Sequence, residues 1–186
     1  LVSIVFDNAS TMELAKHLLR HRTGSQQTLY QYIYGVHRFS NWLNTQPDQL
    51  IKECQDQDGD PKPKALAQTS RMLDDFVANM QAEGLAPGSI SNHVKAVKAL
   101  FRCNGLKLEL AYSLSKRVVY EDRAPTPEEL QTLLNIGDLR ERVIITLLAL
   151  GGFRIGTLAK LQYRHVKRDL EKGVVPIHVH VEAEIT

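Results

Sequence analysis

The sequence has few cysteines and no long apolar run. Its two cysteines, Cys54 and Cys103, lie far apart and form no Cys-x-x-Cys spacing. This excludes a disulfide framework and favours a reduced, cytoplasmic protein. The longest apolar run, residues 143–150, is interrupted only by Thr146 and is too short to cross a bilayer. No secretory signal is visible, so we expect no membrane partner.

The net charge is only +2, but the charges are unevenly distributed. Residues 48–60 carry five acids against one lysine. Residues 88–119 hold a single acid, Glu109, against the basic side chains Lys95, Lys98, Arg102, Lys107, Lys116 and Arg117. A basic segment in a nearly neutral protein indicates a surface for a polyanion. A solvated helix face is the alternative reading of the same charges.

Hydrophobic periodicity predicts a mainly helical chain. A short helix is expected at about residues 11–22, and stronger helices at 25–44, at 64–83 and from 87 to about 103. Residues 45–63 are predicted to form an acidic loop, within which residues 48–54 are compatible with a short helix. Leucines between residues 106 and 114 allow a further one.

Two of these helices carry polar stripes suited to DNA. Amide, hydroxyl and basic side chains can contact sugar and phosphate, asparagine can read adenine, and lysine or arginine can bind guanine. An ordinary wet helix face is the alternative. The candidate DNA-binding residues on these helices are Gln31, Tyr34, Arg38, Ser91, Asn92, His93, Lys95, Lys98 and Arg102.

We place a domain boundary near Lys116. Residues 1–24 form an N-terminal segment and residues 25–115 a helical DNA-binding domain. Residues 126–186 form the second domain. Between the two domains, residues 116–125 form an extended basic linker, whose candidate DNA-binding residues are Lys116, Arg117 and Arg123.

The second domain opens with two helix-start signals. Thr126-Pro127-Glu128-Glu129 is a capping box with proline at the first helical position, and Asp138-x-x-Glu141 is a second capping box. The helix that follows, residues 139–150, is apolar on nearly all sides. It is therefore predicted to form the centre of the second domain's core.

Arg154 follows this apolar helix after Gly151-Gly152. Glycines let a helix end in a sharp turn, so Arg154 is expected on a tight turn between two packed helices. A guanidinium held there can bind a phosphate through a planar pair of donors. The alternative is a buried arginine paired with Glu141 or Glu129.

Residues 174–186 alternate β-forming side chains and predict a strand. His178 and His180 would share one face of it. No third ligand is evident, so we interpret them as strand-face histidines and predict no metal site. The sequence starts without methionine and stops within this pattern, and we expect it to be part of a longer protein.

One segment begins with Gly152-Phe153-Arg154-Ile155-Gly156 and continues with Leu158, Leu161, Tyr163 and Val166. It resembles the region of the first catalytic arginine in tyrosine recombinases, the phage-integrase family. The basic helical domain, the linker and the Thr-Pro-Glu-Glu start are similar as well. The resemblance implies a mainly α chain. A helical core-binding (SAM-like) domain would precede the helical start of an α+β catalytic domain that ends in a β-strand.

The resemblance also implies a function. The family performs site-specific recombination or integration of double-stranded DNA, usually as a homo-tetramer. A tyrosine forms a covalent phosphotyrosine link with one strand, and no cofactor is needed. Arg154 would be a catalytic residue that stabilises charge on the phosphate oxygens.

This chain departs from the family pattern at several positions. Gly151 stands where the family usually has threonine, Thr157 replaces an acid, and Tyr163 and His165 stand where tryptophan and aspartate are frequent. The family's lysine, His-x-x-Arg motif and nucleophilic tyrosine would all follow Thr186. We therefore predict that this chain binds DNA without cleaving it. The alternatives are a non-catalytic helical DNA-binding regulator and a helical protein-interaction module.

Overall fold

The computed structural model describes residues 2–21, 25–114 and 123–182. These residues are mainly helical, with ten α-helices, one 3₁₀ helix and no β-strand. The chain divides into two compact units, Leu1–Glu121 and Asp122–Thr186, and each is described by itself. Lys116 and Arg117 of the predicted linker lie outside the described residues. None of the described helices is long and apolar enough to span a membrane.

Six helices form the first unit, and the predicted helices from residue 25 to 104 are confirmed to within about two residues. The N-terminal segment contains two helices where one was predicted, and both contribute to the core through Ile4, Leu14 and Leu18. The helices are α1 Val2–Asp7, α2 Ala9–His21, α3 Gln26–Leu43, α4 Pro47–Glu53, α5 Pro63–Ala82 and α6 Pro87–Cys103.

Local capping explains where these helices begin and end. The Ser25 side chain accepts a hydrogen bond from the Thr28 backbone N–H at the start of α3. Helices α4, α5 and α6 each begin with proline, whose missing N–H costs nothing at that position. Helix α3 ends where Asn44 adopts a left-handed conformation with φ of 52°.

The core of the first unit is centred on α3 and α6, which make the most extensive contact of any helix pair. Phe39 of α3 lies with its ring centroid 5.2 Å from that of Phe76 on α5. Trp42 packs on the same two phenylalanines while remaining 39% exposed. The fully buried side chains of this core include Val36, Leu73, Met80, Val97, Leu100 and Phe101.

Residues 106–114 are not helical, which corrects the expectation from their leucines. Leu106 and Leu108 are buried in the core, but the segment has no regular secondary structure and binds side chains of α5. The Glu109 N–H donates to Ser70 Oγ at 3.4 Å, and the Ala111 N–H donates to the Asp74 carboxylate at 3.2 Å. Side chains of α5 thus accept hydrogen bonds from backbone N–H groups of residues 106–114. In a helix these N–H groups would be bonded within the segment itself.

The second unit is built from short helices, and both predicted capping boxes are present. Thr126 Oγ1 accepts from the Glu129 N–H at 3.3 Å, and Asp138 Oδ1 accepts from the Glu141 N–H at 2.8 Å. The helices are α7 Pro127–Ile136, α8 Leu139–Ala149, α9 Ile155–Lys160, a 3₁₀ helix Tyr163–His165 and α10 Lys167–Lys172.

Helix α8 is not a buried core helix, which corrects the prediction for residues 139–150. None of its side chains is buried. Leu139 and Val143 are 79% and 51% exposed. Within the described part of the unit, α8 packs mainly on α7 and α9. These two short helices cover only part of its apolar circumference.

The predicted strand at residues 174–186 is absent from its described part, residues 174–182. The amides of this segment bind other groups. The Val174 N–H donates to the Asp169 carbonyl, the His178 N–H to Asp169 Oδ2 and the His180 N–H to the His165 carbonyl. The segment therefore lies along α10 and the 3₁₀ helix, with no neighbouring strand among the described residues.

The Asp169 carboxylate also binds the His178 ring, at 2.7 Å between Oδ2 and Nδ1. Donation from the His178 backbone N–H, and next from its ring, lowers the pKa of Asp169. His178 is thus held by Asp169 and is not a strand-face histidine. Among the described residues, no group of three or more potential ligands could hold a metal ion.

Candidate nucleic-acid interface

A groove between α3 and α6 brings together four of the predicted DNA-binding residues. It has a volume of about 480 Å³. The two helices approach closely because α3 has a glycine at the contact. A Cβ added to Gly35 would lie 2.7 Å from the Ala96 Cβ. The groove is lined by Tyr30, Gln31, Tyr34, Ser89, Asn92 and His93.

His93 forms the floor of the groove and is 9% exposed. Its ring centroid lies 5.6 Å from that of Tyr34, with the two planes tilted by 49°. Burial, and to a lesser extent the positive charge of Arg38, lowers the pKa of His93 below its ordinary value of 6.5. His93 is therefore neutral at pH 7 and can act as both hydrogen-bond donor and acceptor.

Two of the lining residues, Tyr30 and Ser89, were not predicted from the sequence. The Tyr30 and Tyr34 rings are nearly parallel, with an interplanar angle of 3° and centroids 6.4 Å apart. They are 55% and 41% exposed. Helical spacing could have identified both missed residues, because Tyr30 precedes Tyr34 by four positions and Ser89 precedes Asn92 by three.

Arg38 is engaged in an ion pair at the edge of this region. Its guanidinium donates to Glu83 Oε2, and the other Glu83 oxygen accepts from Asn79 Nδ2 at 2.7 Å. Glu83 thus partly neutralises Arg38. The pair joins residues 45 positions apart, so no local pattern predicts it.

The basic stripe of α6 runs from Ser91, which does not line the groove, towards the C-terminal end of the helix. Lys95 and Arg102 are exposed, and neither forms an ion pair with another described residue. Lys98 is half-buried and close to Glu109, whose pKa is lowered chiefly by Lys107 and in part by Lys98. Lys95 and Arg102 are thus the stripe's available cations.

In the second unit, Arg154 lies on the expected glycine turn. A Cβ on Gly151 would lie 2.7 Å from the Leu147 carbonyl oxygen, and Gly152 has a φ of +66°; both positions therefore favour glycine. Arg154 caps α9, because its carbonyl accepts from the Leu158 N–H at 2.9 Å. Its side chain is exposed.

The alternative of a buried, paired Arg154 is wrong. Its guanidinium makes no hydrogen bond or ion pair with the described residues. Both proposed partners are occupied elsewhere. Glu141 Oε2 accepts from the Asp138 N–H at 2.8 Å, and Glu129 binds Arg123.

Arg123 is held by a two-pronged pair with Glu129. The two N–O distances are 2.7 and 2.6 Å. This bond, together with one from the Thr126 N–H, lowers the pKa of Glu129 to about 2. Of the three predicted linker residues, Arg123 alone lies within the described chain, and Glu129 largely neutralises its charge.

Three positions that depart from the recombinase pattern lie in α9 and in the 3₁₀ helix that follows it. Thr157 is buried at 6% exposure and His165 at 2%. The His165 ring accepts at Nδ1 from the Gln162 N–H at 2.8 Å. Tyr163 is exposed and donates to Glu171 at 3.4 Å. These side chains pack or bond locally.

Comparisons with known proteins identify no relative. No protein-family model, curated protein or solved structure gave a significant match to this chain.

Proposed function

We propose that the protein binds double-stranded DNA through the α3–α6 face of its first unit. One observation carries the proposal: polar residues predicted independently on two helices line a single groove. The cations Lys95 and Arg102 are exposed further along α6. In this arrangement the lysine and arginine bind phosphates. The uncharged groove side chains face the bases.

We further propose that the complete protein is a tyrosine recombinase, cytoplasmic and tetrameric on DNA, that needs no cofactor. Support comes from Arg154, which is exposed, unpaired within the described chain and located directly after a glycine turn. In strand cleavage, its guanidinium would contact two non-bridging oxygens of the attacked phosphate. The present 186 residues contain no assigned nucleophilic tyrosine, so they bind DNA without cutting it.

A salt titration tests the DNA-binding proposal. The affinity of the purified chain for a fluorescent duplex is measured by anisotropy. Three phosphate contacts, from Lys95, Arg102 and Arg154, predict a loss of roughly 40-fold between about 50 and 200 mM salt. Absence of duplex binding at low salt contradicts the proposal and favours a protein-interaction module.

A denaturing gel tests the catalytic proposal. A duplex with a nicked strand, which traps covalent intermediates, should give no protein–DNA adduct with the 186-residue chain. A longer chain that carries the family's nucleophilic tyrosine should give one. If the longer chain binds the duplex but forms no adduct, the non-catalytic regulator is the correct alternative.

A further inference from the structure

We propose that the α3–α6 groove receives a single unstacked nucleobase, so that the protein prefers DNA with an unpaired nucleotide over fully paired duplex. The inference rests on the proposed DNA binding and specifies what the groove contacts. The groove volume, about 480 Å³, is within the range of pockets that bind small organic groups.

The lining of the groove favours an uncharged occupant. Tyrosine, glutamine, serine and asparagine are uncharged near neutral pH. The lowered pKa of His93, caused by burial and by Arg38, keeps that ring neutral too. A phosphate, a carboxylate or a cation would therefore meet no opposite charge among the six lining side chains. A neutral planar group with donors and acceptors at its edge fits better.

The aromatic faces of the groove match a base. Tyr30 and Tyr34 lie parallel and expose 55% and 41% of their surface. Unstacked bases bind to such rings by stacking. Gln31 and Asn92 supply amide donors and acceptors in the same groove, as required for contacts to a base edge.

A base inside a duplex cannot make both kinds of contact. Its two faces are covered by its neighbours, and only its edge is accessible in a groove of the DNA. The tyrosine rings can stack on the base only when it has left the stack of the duplex. That step costs least for a nucleotide that is already unpaired. Preference for an unpaired nucleotide follows.

The test compares three probes of the same sequence: a paired duplex, a duplex with a one-nucleotide bulge, and a single strand. The bulged duplex should bind about 5- to 150-fold more tightly than the paired duplex at equal salt, the range expected for one base–aromatic stack. Tyr34→Ala should abolish this preference. Tyr34→Phe should keep it, because stacking needs the ring and not the hydroxyl.

Lys95→Ala is the matched control, and it should weaken binding to the paired and bulged duplexes by the same factor. Circular dichroism checks folding, and if Tyr34→Ala does not fold, Tyr30→Ala replaces it. Equal binding of paired and bulged duplexes by the unaltered protein overturns the inference while DNA binding stands. A preference that survives removal of the tyrosine ring also overturns it. If no probe binds, the proposed function itself fails.

Discussion

Gly35 on α3 faces Ala96 on α6 so closely that a Cβ at Gly35 would lie 2.7 Å from the Ala96 Cβ and 3.3 Å from the His93 Cα. Both neighbours are fixed to the helix backbone, so α3 and α6 would have to separate. We predict that Gly35→Ala lowers the free energy of unfolding by about 1–3 kcal/mol, the cost of overpacking. Urea denaturation followed by Trp42 fluorescence measures it.

Gly88→Ala is the control for this substitution. Gly88 also lies in a helix, but an added Cβ there has no neighbour within 4 Å. It should be neutral or slightly stabilising, since alanine favours helix more than glycine. Ala96→Gly in the Gly35→Ala background should restore part of the lost stability. A stable Gly35→Ala protein would show that the two helices are not in contact here.

The stability of the first unit should fall in mild acid because of His93. Burial and the charge of Arg38 hold its folded-state pKa below 6.5. Below pH 6.5 the unfolded chain therefore binds a proton that the folded chain resists. This contribution is complete above pH 6.5 and is lost progressively as the pH falls.

The measurement compares urea denaturation at pH 7.5 and 5.5 for the unaltered protein and for His93→Gln. Glutamine does not titrate, so its variant should lose less stability between the two pH values. The comparison removes the contribution of other titrating groups. An identical loss in both proteins would show that His93 titrates normally in the folded state.

Local sequence patterns predicted α3, α6 and four of the six residues that line the groove. Apolar side chains at helical spacing defined α3 and α6, and the polar residues beside them gave Gln31, Tyr34, Asn92 and His93. Tyr30 falls at the same helical spacing, four residues before Tyr34, and was not predicted. Features set within one helix are thus accessible from the sequence.

Contacts between distant segments were not predictable in the same way. Nothing near Arg38 in the sequence indicates its pairing with Glu83, and nothing near Gly35 indicates Ala96 as its neighbour. The apolar composition of α8 predicted a core helix. Composition does not determine what covers a helix, and its described neighbours leave Leu139 and Val143 exposed. The strand prediction failed for a related reason. A strand needs a neighbouring strand to pair with, and β-forming side chains do not show whether one is present.

Lys95→Ala should weaken duplex binding without changing stability. The side chain is exposed and forms no ion pair within the described chain. Loss of one phosphate contact should reduce the slope of log affinity against log salt by about 0.9. Lys64→Ala, at the start of α5 and outside the stripe, should leave the slope unchanged. Equal slopes for all three proteins would remove Lys95 from the interface.

Arg154→Ala tests whether the exposed guanidinium of the second unit binds phosphate. Because Arg154 has no bond to the described residues, its removal should change the free energy of unfolding by less than about 0.5 kcal/mol. Duplex affinity should fall, and the salt slope should decrease by about 0.9. Arg154→Lys should keep the slope, since the charge remains. In a chain that extends beyond Thr186, however, it should lose strand cleavage, because lysine lacks the planar pair of donors.

Arg123→Ala is the matched control for Arg154, because Glu129 already binds its guanidinium at two positions. Its removal should leave the salt slope nearly unchanged and loosen the start of α7, which amide hydrogen exchange would detect. If Arg154→Ala unfolds the second unit, the arginine is a structural residue. If it leaves both stability and the salt slope unchanged, Arg154 does not contact DNA in this chain. Unaltered cleavage by Arg154→Lys in the longer chain would exclude Arg154 from the catalytic step.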